Sequence, residues 1–148
     1  MSATVVLNAG PLGDLCNPRP APAGLACQQW AAALRAAGRR VIVPEITDYE
    51  IRRELIRAGR KRSLALLDGL AARFEYLPLD TAMMRRAAEL WAQARQQGRP
   101  TAGDQSLDAD AILAAQALSL GLPVIVATAN VAHLSRFVPA DVWQNIPP

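Results

Sequence analysis

Residues 104–130, DQSLDADAILAAQALSLGLPVIVATAN, decide the fold of this chain. The segment begins with acidic residues, continues as an almost wholly apolar helix, turns at Gly-Leu-Pro and ends in a short β-branched strand. Because alanine and leucine fill most positions from 111 to 120, we expect this helix to be buried. The Val-Ile-Val run at 124–126 is typical of a strand covered on both faces. A buried helix followed by such a strand predicts an α/β fold with a parallel sheet.

The rest of the chain alternates strands and helices in the same way. We predict strands at 4–7, 41–43 and 74–77, a last edge strand through Val142 and Trp143, and helices at 25–37, 44–58, 63–73 and 80–97, the last ending at Gly98. The proline-rich segment 17–24 is predicted to be irregular. We therefore predict one domain, residues 1–148, with three α/β/α layers around a central, mostly parallel sheet.

The predicted helix 44–58 is amphipathic. Pro44 suits its first position, where a missing N–H is tolerated. One buried stripe is expected on a 3.6-residue wheel, formed by Thr47, Ile51, Leu55 and Ala58. Glu50 and Glu54 lie beside this stripe, with Arg53 and Arg57 interleaved among them.

Composition describes an ordinary globular chain. Of its 148 residues, 51% are hydrophobic and 20% are charged, which excludes a disordered protein. No apolar run is long enough to span a bilayer and the first residues lack a secretory signal pattern, so we expect a cytoplasmic protein that does not contact a membrane. Cys16 and Cys27 match no metal-binding spacing and are predicted to be buried thiols in a reducing compartment.

The basic residues are unevenly distributed. Six of the sixteen lysine and arginine residues lie within residues 52–62. Arginine is the side chain best suited to forked contacts with phosphate. The cluster is either a solvated helix face or a nucleic-acid site, and Arg53 and Arg57 are the candidate RNA-binding residues within it.

A group of polar residues is expected at the carboxyl ends of the strands. In a parallel sheet, ligands bind at this edge, where neighbouring connections diverge. This rule selects six residues that follow strands: Asn8, Gly10, Glu45, Glu50, Thr128 and Asn130. Asp108 and Asp110 can join them from the start of the central helix, whereas Glu45 is better explained as a helix-start carboxylate. Oxygen ligands of this kind suit a hard divalent cation such as Mg²⁺.

Each of these residues also has a purely structural interpretation. Asp108 and Asp110, predicted in the first turn of the central helix, can cap that helix and complement its dipole. Glu50 can pair with Arg53 on the surface of its helix, and Asn8 can be a turn residue. His133 is the only histidine, so the chain cannot form a metal site from several histidines, and no other histidine is present to form a Ser-His-Asp triad. We predict a loop or packing role for His133.

Four short motifs, in order along the chain, resemble the PIN domain family, the ribonuclease fold of VapC-type toxins. VVLNAGPL at 5–12 is similar to the family's opening strand, which ordinarily ends in Leu-Asp-Thr/Ser. TDYE at 47–50 resembles its Thr-x-x-Glu signature, and DAILAA at 110–115 resembles its Asp-x-x-Ile-Ala-Ala helix. TANVAH at 128–133 resembles the strand end Thr-x-Asn/Asp-x-x-Asp/His.

The resemblance implies an acidic pocket that binds Mg²⁺ or Mn²⁺ and cleaves RNA. Four positions that usually hold acids correspond to Asn8, Glu50, Asp110 and Asn130. The resemblance further implies that Asp108 is an accessory, outer-shell acid and that Thr128 orients a ligand or a water. It also implies a homodimer and a neutralising, antitoxin-like partner protein.

One departure from the family pattern bears directly on activity. Position 8 is ordinarily Asp and here is Asn, whose amide oxygen coordinates a cation without adding charge. Asn130 is a milder departure, because relatives often have Asn there. Two alternatives therefore stand beside the ribonuclease: a catalytically impaired PIN-like module that binds RNA or an antitoxin-like protein without cleaving, and a flavodoxin-like domain that binds a small anion.

Overall fold

The computed structural model describes residues 2–97 and 104–148 of the chain. Five strands and seven helices alternate along these residues: β1 Thr4–Leu7, α1 Ala9–Leu15, α2 Pro22–Ala36, β2 Val41–Pro44, α3 Glu45–Arg57, α4 Lys61–Arg73, β3 Glu75–Leu77, α5 Thr81–Gln96, α6 Asp104–Ser119, β4 Val124–Ala127, α7 Val131–Leu134 and β5 Ala140–Asp141. A 3₁₀ turn, Trp143–Asn145, follows β5. The described chain thus has the predicted alternation of strands and helices.

The five strands form one sheet in the order β3-β2-β1-β4-β5. Every pairing is parallel, so the sheet is wholly rather than mostly parallel. Val5 lies between Val41 of β2 and Ile125 of β4 in this register. The chain extends the sheet from β1 through β2 to β3 and then returns to place β4 on the other side of β1. The connections therefore diverge between β1 and β4, which is where such sheets bind ligands.

Helices cover both faces of the sheet and give the predicted three layers. One core, on the side of α1, α2 and α4, includes Leu12, Trp30 and Leu67. The other, on the side of α5 and α6, includes Leu90 and Leu113. Both faces of β1 are buried, which explains its uninterrupted apolar sequence.

Helix α3 crosses from one core to the other at the carboxyl edge of the sheet. Ile46, in its first turn, packs with α5 and α6, whereas Ile51 and Leu55 pack on the α1 side. The buried side chain of Gln116 in α6 fixes the start of α3 by accepting a hydrogen bond from the Ile46 N–H at 3.1 Å. The same amide donates to the carbonyl of Leu77 at 2.8 Å. One α6 residue therefore sets the position of α3, the helix that carries Glu50.

Helix α1 was not predicted from the sequence. Gly10 and Pro11 were expected only to end the first strand, but the helix begins at Ala9, directly after it. Asn8 caps this helix, because its Oδ1 accepts a hydrogen bond from the Ala9 N–H at 2.7 Å. Pro11 is tolerated since the first-turn N–H groups of a helix have no intrahelical partner.

Other predicted boundaries shift for local reasons. Helix α2 begins at Pro22, inside the segment expected to be irregular. Pro44 ends β2 and precedes α3, so it is the N-cap rather than the first helical residue. Ala58 is exposed and does not join the buried stripe of α3, because the helix ends at Arg57. The predicted helix end at Gly98 lies outside the described residues.

The last strand lies two residues before its predicted position. It comprises Ala140–Asp141, whereas Val142 and Trp143 leave the sheet. The Asp141 carboxylate accepts hydrogen bonds from the Val142 N–H at 2.8 Å and from the Asn145 amide at 3.0 Å. These local bonds favour the 3₁₀ turn over a longer strand.

The two cysteines have the predicted environment. Both are buried and free, and burial is the main cause that raises the pKa of each thiol to about 12. Within residues 2–97 and 104–148, no helix is long and apolar enough to cross a membrane.

Candidate active site

The candidate site lies where β1 and β4 end side by side. Asn8 follows β1 and Thr128 follows β4, and both side chains are buried. The Asn8 Nδ2 donates a hydrogen bond to the Thr128 hydroxyl at 2.8 Å. Because the Asn8 Oδ1 also caps α1, each end of this amide has a partner. Asn8 thus joins two strand ends and a helix start at the edge of the sheet.

Thr128 also positions Asn130. Its hydroxyl oxygen accepts a second hydrogen bond, from the Asn130 N–H at 2.9 Å. Asn130 is exposed at the start of the short helix α7, and its side chain makes no capping hydrogen bond. The Asn130 side chain therefore lies at the same sheet edge as Asn8, facing solvent.

Glu50 and Asp110 form a pair of half-buried carboxylates at this edge. Burial raises the pKa of both above the usual carboxyl values. The negative charge of Asp110 adds to the rise in the pKa of Glu50, while the Arg53 charge opposes it. Among the described residues, neither carboxylate accepts a hydrogen bond or forms an ion pair. The fold thus places two partly desolvated carboxylates within electrostatic reach of each other.

The start of α6 changes the interpretation of its two aspartates. The helix begins at Asp104, so Asp110 lies in the second turn and the prediction of a first-turn position was wrong. Neither Asp108 nor Asp110 caps the helix. Residues two positions apart point about 200° apart on a helix, which separates their carboxylates. Asp108 is exposed and lines a shallow cavity of about 380 Å³ with residues of α5, including Trp91.

Two basic side chains near Asp110 were not assigned to the site from the sequence. Electrostatic interaction with His133 and Arg136 lowers the pKa of Asp110, in opposition to the larger effect of burial. His133 belongs to α7, and was predicted to have only a loop or packing role. The sequence signal was present in the TANVAH motif, but only the folded chain places this turn against the side of α6.

The two predicted RNA-binding arginines are exposed on α3. Arg53 lies over the ring of Tyr49, with its guanidinium carbon 5.1 Å from the ring centroid. Arg57 forms an ion pair with Glu54 at 2.8 Å. Glu45, by contrast, accepts a hydrogen bond from the Leu79 N–H at 2.7 Å and ties α3 to the segment after β3.

The donor set is compatible with a divalent cation that retains water ligands. Within the described part of the chain, no group of three or more Asp, Glu, His or Cys side chains converges on one point. Mg²⁺ is commonly bound by only one or two carboxylates, with waters and substrate phosphate completing its octahedron. Glu50 and Asp110 supply that minimum, and the amide oxygens nearby add neutral donors.

Solved structures of similar fold come from bacterial complexes. VapBC2 from Rickettsia felis, bound to a promoter DNA fragment, matches with a TM-score of 0.74 and 17% sequence identity over 95% of this chain and 98% of that chain. FitAcB from Neisseria gonorrhoeae matches with a TM-score of 0.71 and 21% identity over 96% and 99%. DNA-bound VapBC from Salmonella typhimurium matches with a TM-score of 0.68 and 22% identity over 95% and 98%. These similarities establish the fold.

Sequence comparison identifies the family. The PIN domain family model matches residues 20–134, which is most of the chain. The chain therefore belongs to the PIN domain family, whose members are typically metal-dependent nucleases. A search of curated proteins returned no match.

Proposed function

We propose that this chain is a divalent-metal-dependent endoribonuclease of the VapC toxin type, which hydrolyses RNA phosphodiesters with Mg²⁺ or Mn²⁺. The observation that supports it most strongly is the pairing of Glu50 with Asp110. Their pKa values are raised by burial, and no hydrogen bond from the described residues stabilises either charge. A bound divalent cation would offset the part of this desolvation that Arg53, His133 and Arg136 do not offset.

In this proposal the candidate residues have distinct roles. Glu50 and Asp110 would hold the cation through carboxylate oxygens. Asn8 and Asn130 supply neutral amide oxygens, and Thr128 holds both asparagines in place by hydrogen bonds. Asp108 is at most an accessory acid that acts through water, because it lies towards α5.

The proposed chemistry is hydrolysis by a metal-activated water, with electrostatic stabilisation of the phosphate. A bound divalent cation lowers the pKa of a coordinated water and stabilises charge that develops on the scissile phosphate. The protein orients the phosphate against Glu50 and Asp110, and Arg53 and Arg57 attract the RNA backbone from the exposed side of α3. His133 and Arg136 oppose the rise in the pKa of Asp110 that burial causes, and so favour its ligand form.

Asn8 favours a second candidate function. Asn8 replaces the Asp usual at this position and contributes no charge, so only two carboxylates would neutralise the cation. The alternative is a PIN-domain module with weak metal affinity that binds RNA or an antitoxin-like protein without cleaving it. Binding without product distinguishes this alternative from the ribonuclease.

The deciding experiment measures cleavage and binding of RNA side by side. The proposal expects single-stranded RNA to be cut in Mn²⁺ or Mg²⁺, no cutting in excess chelator, and no cutting by Asp110→Ala. Cleavage that persists unchanged in chelator or in Asp110→Ala contradicts the metal mechanism. RNA binding in a filter assay, without product at any metal concentration, establishes the non-cleaving alternative.

We also propose a homodimer and an antitoxin-like partner protein. The support is that similar structures are of VapBC complexes. Size-exclusion chromatography with light scattering distinguishes a dimer from a monomer of 15.9 kDa. Co-expression with the neighbouring open reading frame, followed by purification through a tag on this chain, tests for a stable partner.

A further inference from the structure

A broad groove outside the carboxylate pair lies between α1, the end of α3 and the start of α4. Its volume is about 700 Å³. Cys16, Ile51 and Leu55 form an apolar part of the lining. Its rim contains four basic side chains, Arg19, Arg60, Lys61 and Arg62, and one acid, Glu54. The acid is already paired with Arg57 at 2.8 Å, so the rim has a strong excess of positive charge.

The four rim cations have no acidic partner in the described part of the chain. Lys61 and Arg62 occupy the first turn of α4, which contains no acidic residue. Positive charge there opposes the helix dipole and slightly destabilises the helix. A fold that places unpaired cations at an unfavourable position around a groove has a surface suited to an anionic ligand.

The chain turns sharply to bring these cations to the groove. Gly59 has a φ of 67°, a left-handed conformation that glycine adopts without strain. The turn reverses the chain after α3, so that Arg60 and α4 face back towards α1. A non-glycine residue at this position would resist the reversal.

The groove and the candidate active site share two helices. Helix α1 starts at Asn8 and lines the groove with Gly13, while α3 carries Glu50 and lines it with Ile51. An α-helix rises about 1.5 Å per residue, so α3 extends about 10 Å from Glu50 to Arg57. An RNA chain bound in the groove at the start of α4 would therefore lie about 10 Å along α3 from Glu50.

We propose that this groove binds the phosphate backbone of single-stranded RNA and leads the chain to Glu50 and Asp110. The inference rests on the proposed ribonuclease function for the direction of the RNA. Guanidinium groups match phosphate geometry, and the apolar lining suits ribose and base faces. An acidic peptide offers the same charge, and the proposal commits to RNA because α3, which lines the groove, also carries the proposed metal ligand Glu50.

The test measures RNA binding in excess chelator, so that cleavage does not interfere. The probe is a fluorescein-labelled single-stranded RNA of mixed sequence, and the readout is anisotropy across a salt series. The variant Arg60→Gln/Lys61→Gln should bind roughly tenfold more weakly, with a log–log salt slope smaller by about 0.7 for each cation removed. Both residues are exposed. Arg60 precedes α4 and its side chain makes no capping hydrogen bond, and glutamine is a good helix former at position 61.

The matched control removes the same charge from the opposite layer. Arg85→Gln/Arg86→Gln changes two exposed residues of α5, which packs on the other face of the sheet, and should bind RNA as the wild type does. Equal loss of RNA affinity in both double variants indicates a general charge effect and overturns the groove inference. The inference is also overturned if the wild type does not bind RNA, or if the groove variant binds RNA as tightly as the wild type.

The result separates this inference from the proposed function. If RNA binding depends on the groove but the protein never cuts RNA, the proposed ribonuclease function is wrong and the groove inference stands. If the protein cuts RNA and the groove variant binds RNA as the wild type does, the groove inference is wrong and the ribonuclease function stands. A labelled polyglutamate that binds through Arg60 and Lys61, where RNA does not, overturns the inference in favour of an acidic protein partner.

Discussion

The side-chain amide of Asn8 donates a hydrogen bond to the hydroxyl of Thr128 at 2.8 Å across 120 residues of sequence. It joins the ends of the two central strands, where the sheet connections diverge. The same hydroxyl accepts from the Asn130 N–H, so one threonine organises both asparagines. This geometry tolerates an aspartate at position 8, because the hydroxyl proton can instead be donated to a carboxylate.

Asn8→Asp should tighten Mn²⁺ binding and raise RNA cleavage. The substitution is close to isosteric, retains the cap on α1 and adds a negative charge to the Glu50 and Asp110 pair. We expect Mn²⁺ affinity to rise by roughly tenfold, equivalent to about 1.4 kcal/mol. Isothermal titration calorimetry on both proteins measures this difference.

The control for this prediction is Asn17→Asp. Asn17 is exposed, and an aspartate there can still accept the hydrogen bond from the Arg19 N–H. It adds the same charge away from the carboxylate pair and should leave Mn²⁺ affinity unchanged. Equal affinity of Asn8→Asp and the wild type means that position 8 is not a ligand.

Asp110→Asn should reduce cleavage far more than Asp108→Asn. The charge of Asp110 raises the pKa of Glu50, whereas Asp108 lines the cavity beside α5. We expect a loss of roughly 100-fold or more for the first and at most a few-fold for the second. Initial rates on one RNA substrate at saturating Mn²⁺ provide the comparison. Similar losses of activity in both variants mean that Asp108 also contributes to metal binding, and that the separate roles assigned to Asp108 and Asp110 are wrong.

Glu50→Gln should stabilise the metal-free protein at neutral pH. Burial raises the pKa of Glu50, so the folded state holds its proton more tightly than the unfolded chain does. Stability attributable to this group therefore falls as pH rises above its ordinary value of 4.5. We expect the variant's Tm to exceed that of the wild type by a few degrees at neutral pH, with the gap closing towards pH 4.5.

Added Mn²⁺ should reverse this order. Metal binds the ionised wild-type carboxylate and raises its Tm, but has little effect on Glu50→Gln. Differential scanning fluorimetry in chelator and in Mn²⁺ measures both parts. The control Glu89→Gln removes an exposed ion pair with Arg86 and should change Tm little in either condition. A wild-type Tm that does not respond to metal counts against the site.

Gln116→Leu should destabilise the fold and misplace α3. The substitution leaves the Ile46 N–H and the Leu77 carbonyl without their buried partners. Each unsatisfied group costs about 1–3 kcal/mol, so we expect a loss of about 2–4 kcal/mol in the free energy of unfolding. Urea denaturation measures it, and the exposed Gln93→Leu should stay within about 0.5 kcal/mol of the wild type. Unchanged stability in Gln116→Leu means that Gln116 does not hold α3 against α6.

Local patterns in the sequence were sufficient for most of the architecture. Strands β1, β2 and β4 are short apolar runs between turn residues, a pattern that predicts strands buried on both faces of a sheet. The helix predicted to start at residue 80 does so, because the Asp80 carboxylate caps α5 by accepting a hydrogen bond from the Met83 N–H at 2.7 Å. Helix α1 was missed because its only signal, Asn8 before a glycine and a proline, equally describes a turn.

The sequence by itself determined which residues are apolar and where several helices begin and end, and its alternation of strands and helices predicted a mostly parallel sheet. The tertiary structure decided that all five strands are parallel, that Asp110 and not Asp108 acts on the pKa of Glu50, and that His133 lies close enough to Asp110 to lower its pKa. It also decided that Arg19 shares a groove with Arg60. Such relationships depend on the order in which strands pair and on where a helix starts, since each residue rotates a helical side chain by about 100°.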